Sequence, residues 1–444
     1  MTGTNGPRPV QDAGTTYTTF TGWIDRPADL AAPLDTDISC DVAVVGGGLG
    51  GMAIALRLAE RGVDVALLES DFCGYGASSR NAGQLSAKPT GEPQILAKVN
   101  PRLLRDLVRF AECSVRFAED MIKQLGIDCE YEPVGNVGVA ATARQLRKAQ
   151  RDSSVLIAAG ASQQVGDHRE LGLPDTFLGG VLTTVGGTMN PGMFTLGVRA
   201  ALLRSGVRVF EQSPVRSVTD IGAGAQVSTP LGRVRAKRVV LANNAFAPEI
   251  GITPKHLAKP VWVSMIETAP VEAERIAATG WTSRSGLATK HHVMESYHVT
   301  PANTIAVGVR RLQVGKYPLT DRTSDPVVVA DLTAAFRARF PSLADVPITK
   351  TWGGWIAMTT SRLPVAGQVS KNVSYTVGCN GHGLGQAPYL GTLLADHLVT
   401  DEIHHDLMPF WHNESRFARS LYLHNPVLRA AWLADRIGDR RAAR

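Results

Sequence analysis

An α/β fold built on a Rossmann-like βαβ unit is what the sequence predicts, and three observations predict it. The chain has 444 residues, suited to one large or two interleaved domains rather than one small core. Residues 41–69 read strand, glycine-rich turn, helix and strand within about thirty positions. Residues 290–312, KHHVMESYHVTPANTIAVGVRRL, alternate polar and apolar as two strands joined by the turn PANT.

Composition sets the first limits. The chain is 44% hydrophobic and 19% charged, the profile of an ordinary globular protein. Its longest apolar runs, such as VDVALL at 63–68, fall far short of the ~20 residues a membrane span needs. The N-terminal MTGTNGPRPVQDAGTTYTTF lacks the basic start and continuous apolar stretch of a secretory signal, so a cytoplasmic protein is expected. Cys40, Cys73, Cys113, Cys129 and Cys379 are odd in number and never spaced CxxC, which argues against a disulfide framework or a metal site. The net charge of +6 is mild, and the basic residues concentrate in the terminal DRIGDRRAAR. Without interleaved aromatics that stretch reads as a solvated tail, not a nucleic-acid footprint.

The βαβ unit carries the first chemistry. DVAVV (41–45) is a short buried strand, GGGLGG follows, MAIALRLAERG is a helix ended at Gly62, and VDVALLE is a second strand. Gly46, Gly48 and Gly51 stand in GxGxxG register. Gly46 permits the tight turn, Gly48 lets a pyrophosphate approach the backbone, and Gly51 lets helix and strand pack closely. The helix start, with Leu49, supplies free N–H groups and a positive dipole end for phosphates. Glu69, at the end of the second strand, is placed to accept from ribose hydroxyls. Strand, glycines, helix, strand and acid agree on a dinucleotide.

The loop GYGASSRNAGQ (74–84) decides which dinucleotide. In a nicotinamide enzyme the sheet would run on into further βα units. Here a polar loop follows the acid within a few positions. Ser78, Ser79 and Arg80 offer hydroxyls and a guanidinium beside the pyrophosphate, and Asn81, Gly83 and Gln84 bring amides and bare backbone further along. A long ligand extended from the first helix needs such a second polar rail.

At this point the chain resembles the D-amino-acid-oxidase superfamily of FAD enzymes, within it the gamma-glutamylputrescine oxidase and glycine/sarcosine oxidase group. CDVAVVGGGLGG and GASSRNAGQ carry the resemblance. It implies a glutathione-reductase-like FAD-binding domain (38–95 with 186–255 and 353–403) interleaved with an α+β substrate domain of mostly antiparallel sheet (96–185 with 256–352). Residues 1–37 are left as a leader and 404–444 as a helical tail. It also implies that Asn81 to Gln84 approach the isoalloxazine.

Four later segments extend the resemblance. GGTMNPGMFTLGVRAALLRSGVRVFEQSPVRSV (186–218) holds a helix, then a segment whose backbone around Val215 brackets the adenine in the family. RVVLANNAFAPEI (238–250) is expected as a strand ending under the cofactor at Ala242 and Asn243. TWGGWIAMTTSRLPVAGQV (351–369) keeps Pro364 and Gly367 but has Ser361 where the family has aspartate. Gly354 stands where some sarcosine oxidases carry a linking cysteine, so FAD is expected to be non-covalent. SYTVGCNGHGLGQAPYLGTLLADHL (374–398) is strand, loop and helix, with Gly381, His382, Gly383, Leu384 and Gly385 beneath the flavin pyrimidine. A helix N-terminus there stabilises the negative charge of reduced flavin. Residues 94–130 read as helical to Gly126.

Substrate contacts are sought on the 290–312 strands. His298 takes the place of a family arginine, and it cannot make a bidentate clamp. Tyr297, His291, His292 and Arg310 are the other polar candidates, of which alternation turns about half away. His382, Tyr297, His298 and Gln84 are taken as the residues nearest the chemistry. The implied reaction is oxidation of a C–N bond in an amine or amino acid by hydride transfer to flavin N5, giving an imine that hydrolyses, with O2 as acceptor. A dehydrogenase of the same fold passing electrons to a quinone or protein, and a flavin-holding subunit without oxidase activity, stay open. A flavin monooxygenase is disfavoured because Gly166-Asp167 and Gly438-Asp439 do not follow strands in the required place.

Overall fold

The apolar run at 41–45 becomes a strand buried on both faces, as a central parallel strand must be. A computed structural model describes residues 14–89, 91–254, 257–413 and 423–442. One sheet contains β2 (Ile38–Val45), β3 (Val65–Leu68), β9 (Arg208–Phe210), β10 (Ser217–Asp220), β11 (Ala225–Ser228), β12 (Arg233–Leu241), β18 (Val365–Ser370) and β19 (Val373–Val377). Its parallel centre runs β19-β12-β2-β3-β9, and β10, β11 and β12 form an antiparallel meander. Successive residues of β2 feed two cores. Val42 and Val44 pack with α1 (Leu49–Glu60), α3 (Pro101–Gln124), α5 (Pro191–Arg204) and α8 (Gly383–Thr400), while Ala43 and Val45 pack with the meander and Tyr375.

The second sheet has the order β1-β17-β13-β16-β15-β14-β5-β7-β6. Its strands are β1 (Thr16–Tyr17), β5 (Asn136–Ala140), β6 (Gln163–Asp167), β7 (Gly179–Thr183), β13 (Lys259–Thr268), β14 (Gly286–Thr289), β15 (Glu295–Val299), β16 (Ile305–Val314) and β17 (Ile348–Met358). Pairing is antiparallel except at β1/β17 and β5/β14. The α/β class with a mostly antiparallel second sheet is therefore observed. One face packs on α7 (Pro326–Arg339) and Phe340; the other, rich in Gly and Ala, meets Trp23 and residues 82–84. The short pair β4 (Gln84–Ser86) and β8 (Gly186–Thr188) joins the two halves.

Several expected elements differ in detail. The helix over 94–130 is two, α2 (Pro93–Val99) and α3, because Pro101 pushes Asn100 out of helical geometry and Asn100 Oδ1 then caps Leu103 N at 3.0 Å. The strand expected to end at Ala242 and Asn243 stops at Leu241, and a 3₁₀ turn follows over Asn244–Ile250. α4 (Ala143–Ala158) opens on a capping box at Thr142 and Gln145 and covers β5 to β7, and α6 (Ala273–Ala277) is a single turn. The boundary placed at 353 falls inside β17, and Thr16–Tyr17 of the leader pairs with that strand.

The expected solvated tail is a docked helix, α9 (Asn425–Ala442). Trp432 Nε1 donates to Asp331 Oδ2 at 2.6 Å, and its ring lies under Arg311 and Arg436. Asp435 accepts from the backbone of His292 and Val293, and Asp439 pairs with His291 and Arg339. Among the described residues no helix is long and apolar enough to cross a membrane.

Candidate active site

The three glycines of the first turn do different physical work. Gly46 has φ +106°, and a Cβ there would come within 2.9 Å of the Ala242 carbonyl and Asn243 Cα. A Cβ at Gly51 would sit 1.9 Å from the Gly46 carbonyl oxygen, so helix and strand touch only because it is glycine. Gly48 caps α1 without a side-chain bond and leaves the helix end open. Ser78 Oγ accepts from Leu49 N at 3.0 Å, which sets Ser78 at that end.

α8 runs parallel to α1. Gly391 meets Gly50, and Arg57 Nε donates to Asp396 Oδ1 at 2.9 Å further along both helices. Both N-termini, each a partial positive charge, therefore open on the same edge. At the α8 end Gly381 has φ +87°, and a Cβ at Gly385 would come 2.9 Å from the Ser114 carbonyl. Gly383 is close to the half-buried free thiol of Cys379, whose pKa burial raises. Leu384 anchors the first turn in the core. His382 is the helix N-cap; burial first, then nearby Lys88, hold its imidazole near pKa 4, and its buried Nδ1 has no hydrogen-bond partner.

Glu69 lies beside the glycine turn. Its Oε2 accepts from Gly47 N at 2.7 Å, and Oε1 accepts from Ser70 Oγ and Asp71 N. Burial raises its pKa. The chain from Phe210 to Ser213 runs against it through Glu69 N to Phe210 O and Ser213 N to Glu69 O, leading to half-buried Val215 two residues on. Ala242 N donates to Val45 O, and buried Asn243 Oδ1 lacks a partner.

The loop 74–84 departs from expectation at several side chains. Ser79 Oγ donates to Gly74 O at 2.7 Å and is fully buried. Arg80 points away from α1: it donates to Tyr75 O, Thr19 O and Gly353 O, and its guanidinium lies 4.4 Å from the Tyr75 ring centroid. Its stem packs at Gly354. Ser79 and Arg80 thus brace the loop instead of lining the cradle through their side chains. Asn81 closes its own turn, donating to Ala77 O and Ser78 O and accepting from Gly83 N. Gln84 Nε2 donates to Leu287 O and Tyr297 O, tying the loop to the second sheet. Nothing local marks that role, because both acceptors lie more than 200 residues away.

The roof is the Gly/Ala face of the second sheet. His298 is on it, with Nδ1 3.2 Å from Ala82 O, its ring beside Gly83 (φ +69°) and 5.7 Å from the Trp23 ring. Burial lowers its pKa to about 4, so it is neutral. Tyr297 is corrected: it faces the opposite side, fully buried, its OH donating to Glu295 Oε2 and its ring edge-on to Phe340. The register puts residues 296 and 298 on one face and 295, 297 and 299 on the other. His291, His292 and Arg310 are corrected too, because they belong to the α7/α9 ion network. One residue outside the predicted set, Lys290, lies on the same face as His298; a lone lysine at a strand end has no spacing signature. Lys290 lies across Gly138, its Nζ 2.5 Å from where a Cβ would be.

These residues fit FAD. A glycine turn that a Cβ would fill, two helix N-termini on one edge, and the partnerless Asn243 Oδ1 and His382 Nδ1 form a polar cradle. Comparison with known proteins agrees. The chain is 31% identical over 391 residues to gamma-glutamylputrescine oxidoreductase of Escherichia coli (strain K12), covering 84% of this chain and 88% of that one. It is 25% identical over 383 residues to glycine oxidase of Geobacillus kaustophilus (strain HTA426), covering 83% and 96%. The crystal structure of glycine oxidase from Geobacillus kaustophilus shares the fold at TM-score 0.72 and 22% identity, over 85% of this chain and 99% of that one. L-proline dehydrogenase from P. horikoshii does so at TM-score 0.72 and 20% identity, over 84% and 98%. Over residues 41–397 the sequence matches the family described as FAD dependent oxidoreductase, and to that family this chain belongs.

Proposed function

We propose that this FAD-dependent oxidoreductase oxidises a C–N bond of a small amine or amino acid to an imine that hydrolyses in water, with O2 as electron acceptor, in the cytoplasm. The relatives' names, an oxidoreductase of gamma-glutamylputrescine and an oxidase of glycine, support the substrate class. The observation that carries it is the neutral His298 on the roof, beside Ala82 and Gly83 of the loop whose Ser78 meets the start of α1. FAD, when bound, supplies the hydride acceptor.

The chain's residues position the reactants. Nδ1–H of neutral His298 donates to Ala82 O, which leaves Nε2 as an acceptor for an N–H of the substrate amine. A desolvated pocket also favours the neutral amine that gives up hydride. Gly46, Gly48, Leu49 and Ser78 would hold the pyrophosphate, Glu69 the ribose, and the backbone near Val215 the adenine. Ala242 and Asn243 support the cofactor from the end of β12. The N–H groups of Gly383, Leu384 and Gly385 at the start of α8 would stabilise negative charge developing on the bound flavin. With Gly354 packed on the Arg80 stem, no cysteine is present there for attachment.

The purified protein is expected to be yellow and to release free FAD on denaturation; flavin pelleting with the protein refutes the non-covalent assignment. Anaerobic mixing with a panel of amines and amino acids, followed at the visible flavin band, tests the reaction; no bleaching by any member refutes it. Admitting air to the bleached enzyme distinguishes O2 from another acceptor. His298→Ala is expected to slow flavin reduction or raise KM by about tenfold, one lost hydrogen bond in a buried site, with FAD content intact. Unchanged stopped-flow reduction removes His298 from the site.

A further inference from the structure

The His298 ring is bonded at Nδ1, 3.2 Å from Ala82 O. A single hydrogen bond fixes a point of the ring but not its plane, because the outer torsion of a histidine side chain is broad. The plane is set by what packs on the ring, and Trp23 does so. The indole and imidazole centroids are 5.7 Å apart, with the planes 32° from parallel. His298 is 2% exposed and Trp23 is half-buried. A half-buried indole on a buried imidazole is a boundary between that ring and water.

Trp23 is itself fixed from several directions. Its Nε1 donates to Asn81 O at 2.8 Å, and its ring stands edge-on to Trp352 at 5.8 Å. With Ala82 it packs against Met265, Ala306 and Trp352, and Ala306 is the β16 partner of His298. The chain that delivers it is anchored too. Thr16 and Tyr17 pair with β17, and Thr21 Oγ1 donates to Ser79 O at 2.6 Å. Gly22 lies so close to Trp352 that a Cβ would come within 2.5 Å of its ring. This whole stretch precedes residue 41, where the match to the family begins.

We propose that Trp23 is the positioning residue for His298: its indole shuts water away from the imidazole and fixes the ring plane, so that Nε2 stays free and aimed for the substrate amine. The site is then incomplete without a segment outside the stretch that matches the family. This rests on the reading of His298 given above and deepens it. Burial holds the imidazole neutral, near pKa 4. The charged groups facing it, Glu132 and Arg284, act in opposite directions and pair with each other at 3.1 Å. Opening the Trp23 side to water should therefore let the His298 pKa rise toward about 6.5.

The test is Trp23→Ala in FAD-loaded protein, read by NMR titration of the imidazole Cε1 signals, His298 being the signal missing from His298→Ala. A rise of its pKa toward about 6.5 is expected. A group of pKa ~6.5 is about one-quarter neutral at pH 6, so the rate of flavin reduction relative to the parent should fall about fourfold between pH 8 and pH 6. Taking the ratio to the parent removes the titration of the amine itself. Trp23→Phe restores an aromatic ring without the indole N–H and should return both readings most of the way. Ile24→Ala removes a neighbouring side chain that packs at Gly192 and should move neither. FAD content and thermal melts report the fold, and Trp23→Leu takes the place of Trp23→Ala if the latter does not hold FAD. An unmoved His298 pKa in the tested Trp23 variant, or an equal shift in Ile24→Ala, overturns the proposal. The NMR titration needs no turnover. A shifted His298 without flavin reduction by any amine sinks the catalytic reading alone, and amine turnover with an unmoved His298 sinks the positioning role alone.

Discussion

Gly51→Ala is expected to strip the protein of FAD. The added Cβ would lie 1.9 Å from the Gly46 carbonyl oxygen, a backbone atom that no rotamer change can move aside. α1 must shift outward, and its first N–H groups and Gly48 move off the proposed pyrophosphate position with it. Losing two charge-assisted bonds at roughly 1.5 kcal/mol each corresponds to about a hundredfold weaker binding. Overpacking adds about 1–3 kcal/mol of destabilisation. Gly62→Ala provides the contrast. Unlike the helical Gly51, Gly62 has positive φ (+74°), and nothing lies within 4 Å of its Cβ position. That variant should lose roughly 1 kcal/mol of stability and keep its FAD. The measurement is flavin absorbance per chain after gel filtration, with thermal melts alongside. Full flavin content in Gly51→Ala would remove the close helix–strand contact from the account of cofactor binding.

Glu295→Gln is expected to produce the largest loss of stability away from the cofactor. Its carboxylate is fully buried and receives Tyr297 OH, Arg310 Nη1 and Arg339 Nε. Arg339 also bonds Asp439 of α9, and Arg310 lies 3.5 Å from Asp331. The two arginines lower the Glu295 pKa against the upward push of burial. Removing the charge leaves buried guanidiniums under-compensated, at a cost of about 3–5 kcal/mol. Replacing Glu295, Arg310 and Arg339 together by methionine removes the imbalance and should cost far less. The comparison is the urea midpoint of the single and triple variants. A single variant as stable as the parent would mean that the cluster is screened and contributes little. α9 should also loosen in Glu295→Gln, read as faster amide exchange over 425–439, because Arg339 is the link from Glu295 to Asp439.

The parts legible in sequence were those whose physics is local. The strand at 41–45, Gly46, Gly48 and Gly51, the helix to Gly62 and Glu69 follow one another within thirty residues, so periodicity and turn chemistry specify them together. The same holds for the glycine loop before α8. Side-chain partners across long separations were not legible. Arg80 and Ser79 sit among residues that read as a phosphate rail, but the acceptors for Arg80 include Thr19 and Gly353. The tail's arginines and aspartates read as solvated until Asp435 and Asp439 meet His292, His291 and Arg339.

The sequence by itself determined the nucleotide cradle, which rests on backbone geometry that glycines and apolar periods dictate along the chain, and its motifs carried the resemblance that implied the family and the two-sheet architecture. It also determined that Tyr297 and His298 face opposite ways, because strand side chains alternate. Which of the two faces the cleft was decided only by tertiary packing. α7 and Phe340 cover the face bearing Tyr297 with a hydrophobic layer, and its phenol finds Glu295 there; the opposite face, where His298 meets Ala82 and Gly83, is left for the proposed cofactor side. Alternation is a property of one strand, whereas the choice of side depends on what the rest of the chain packs against each face.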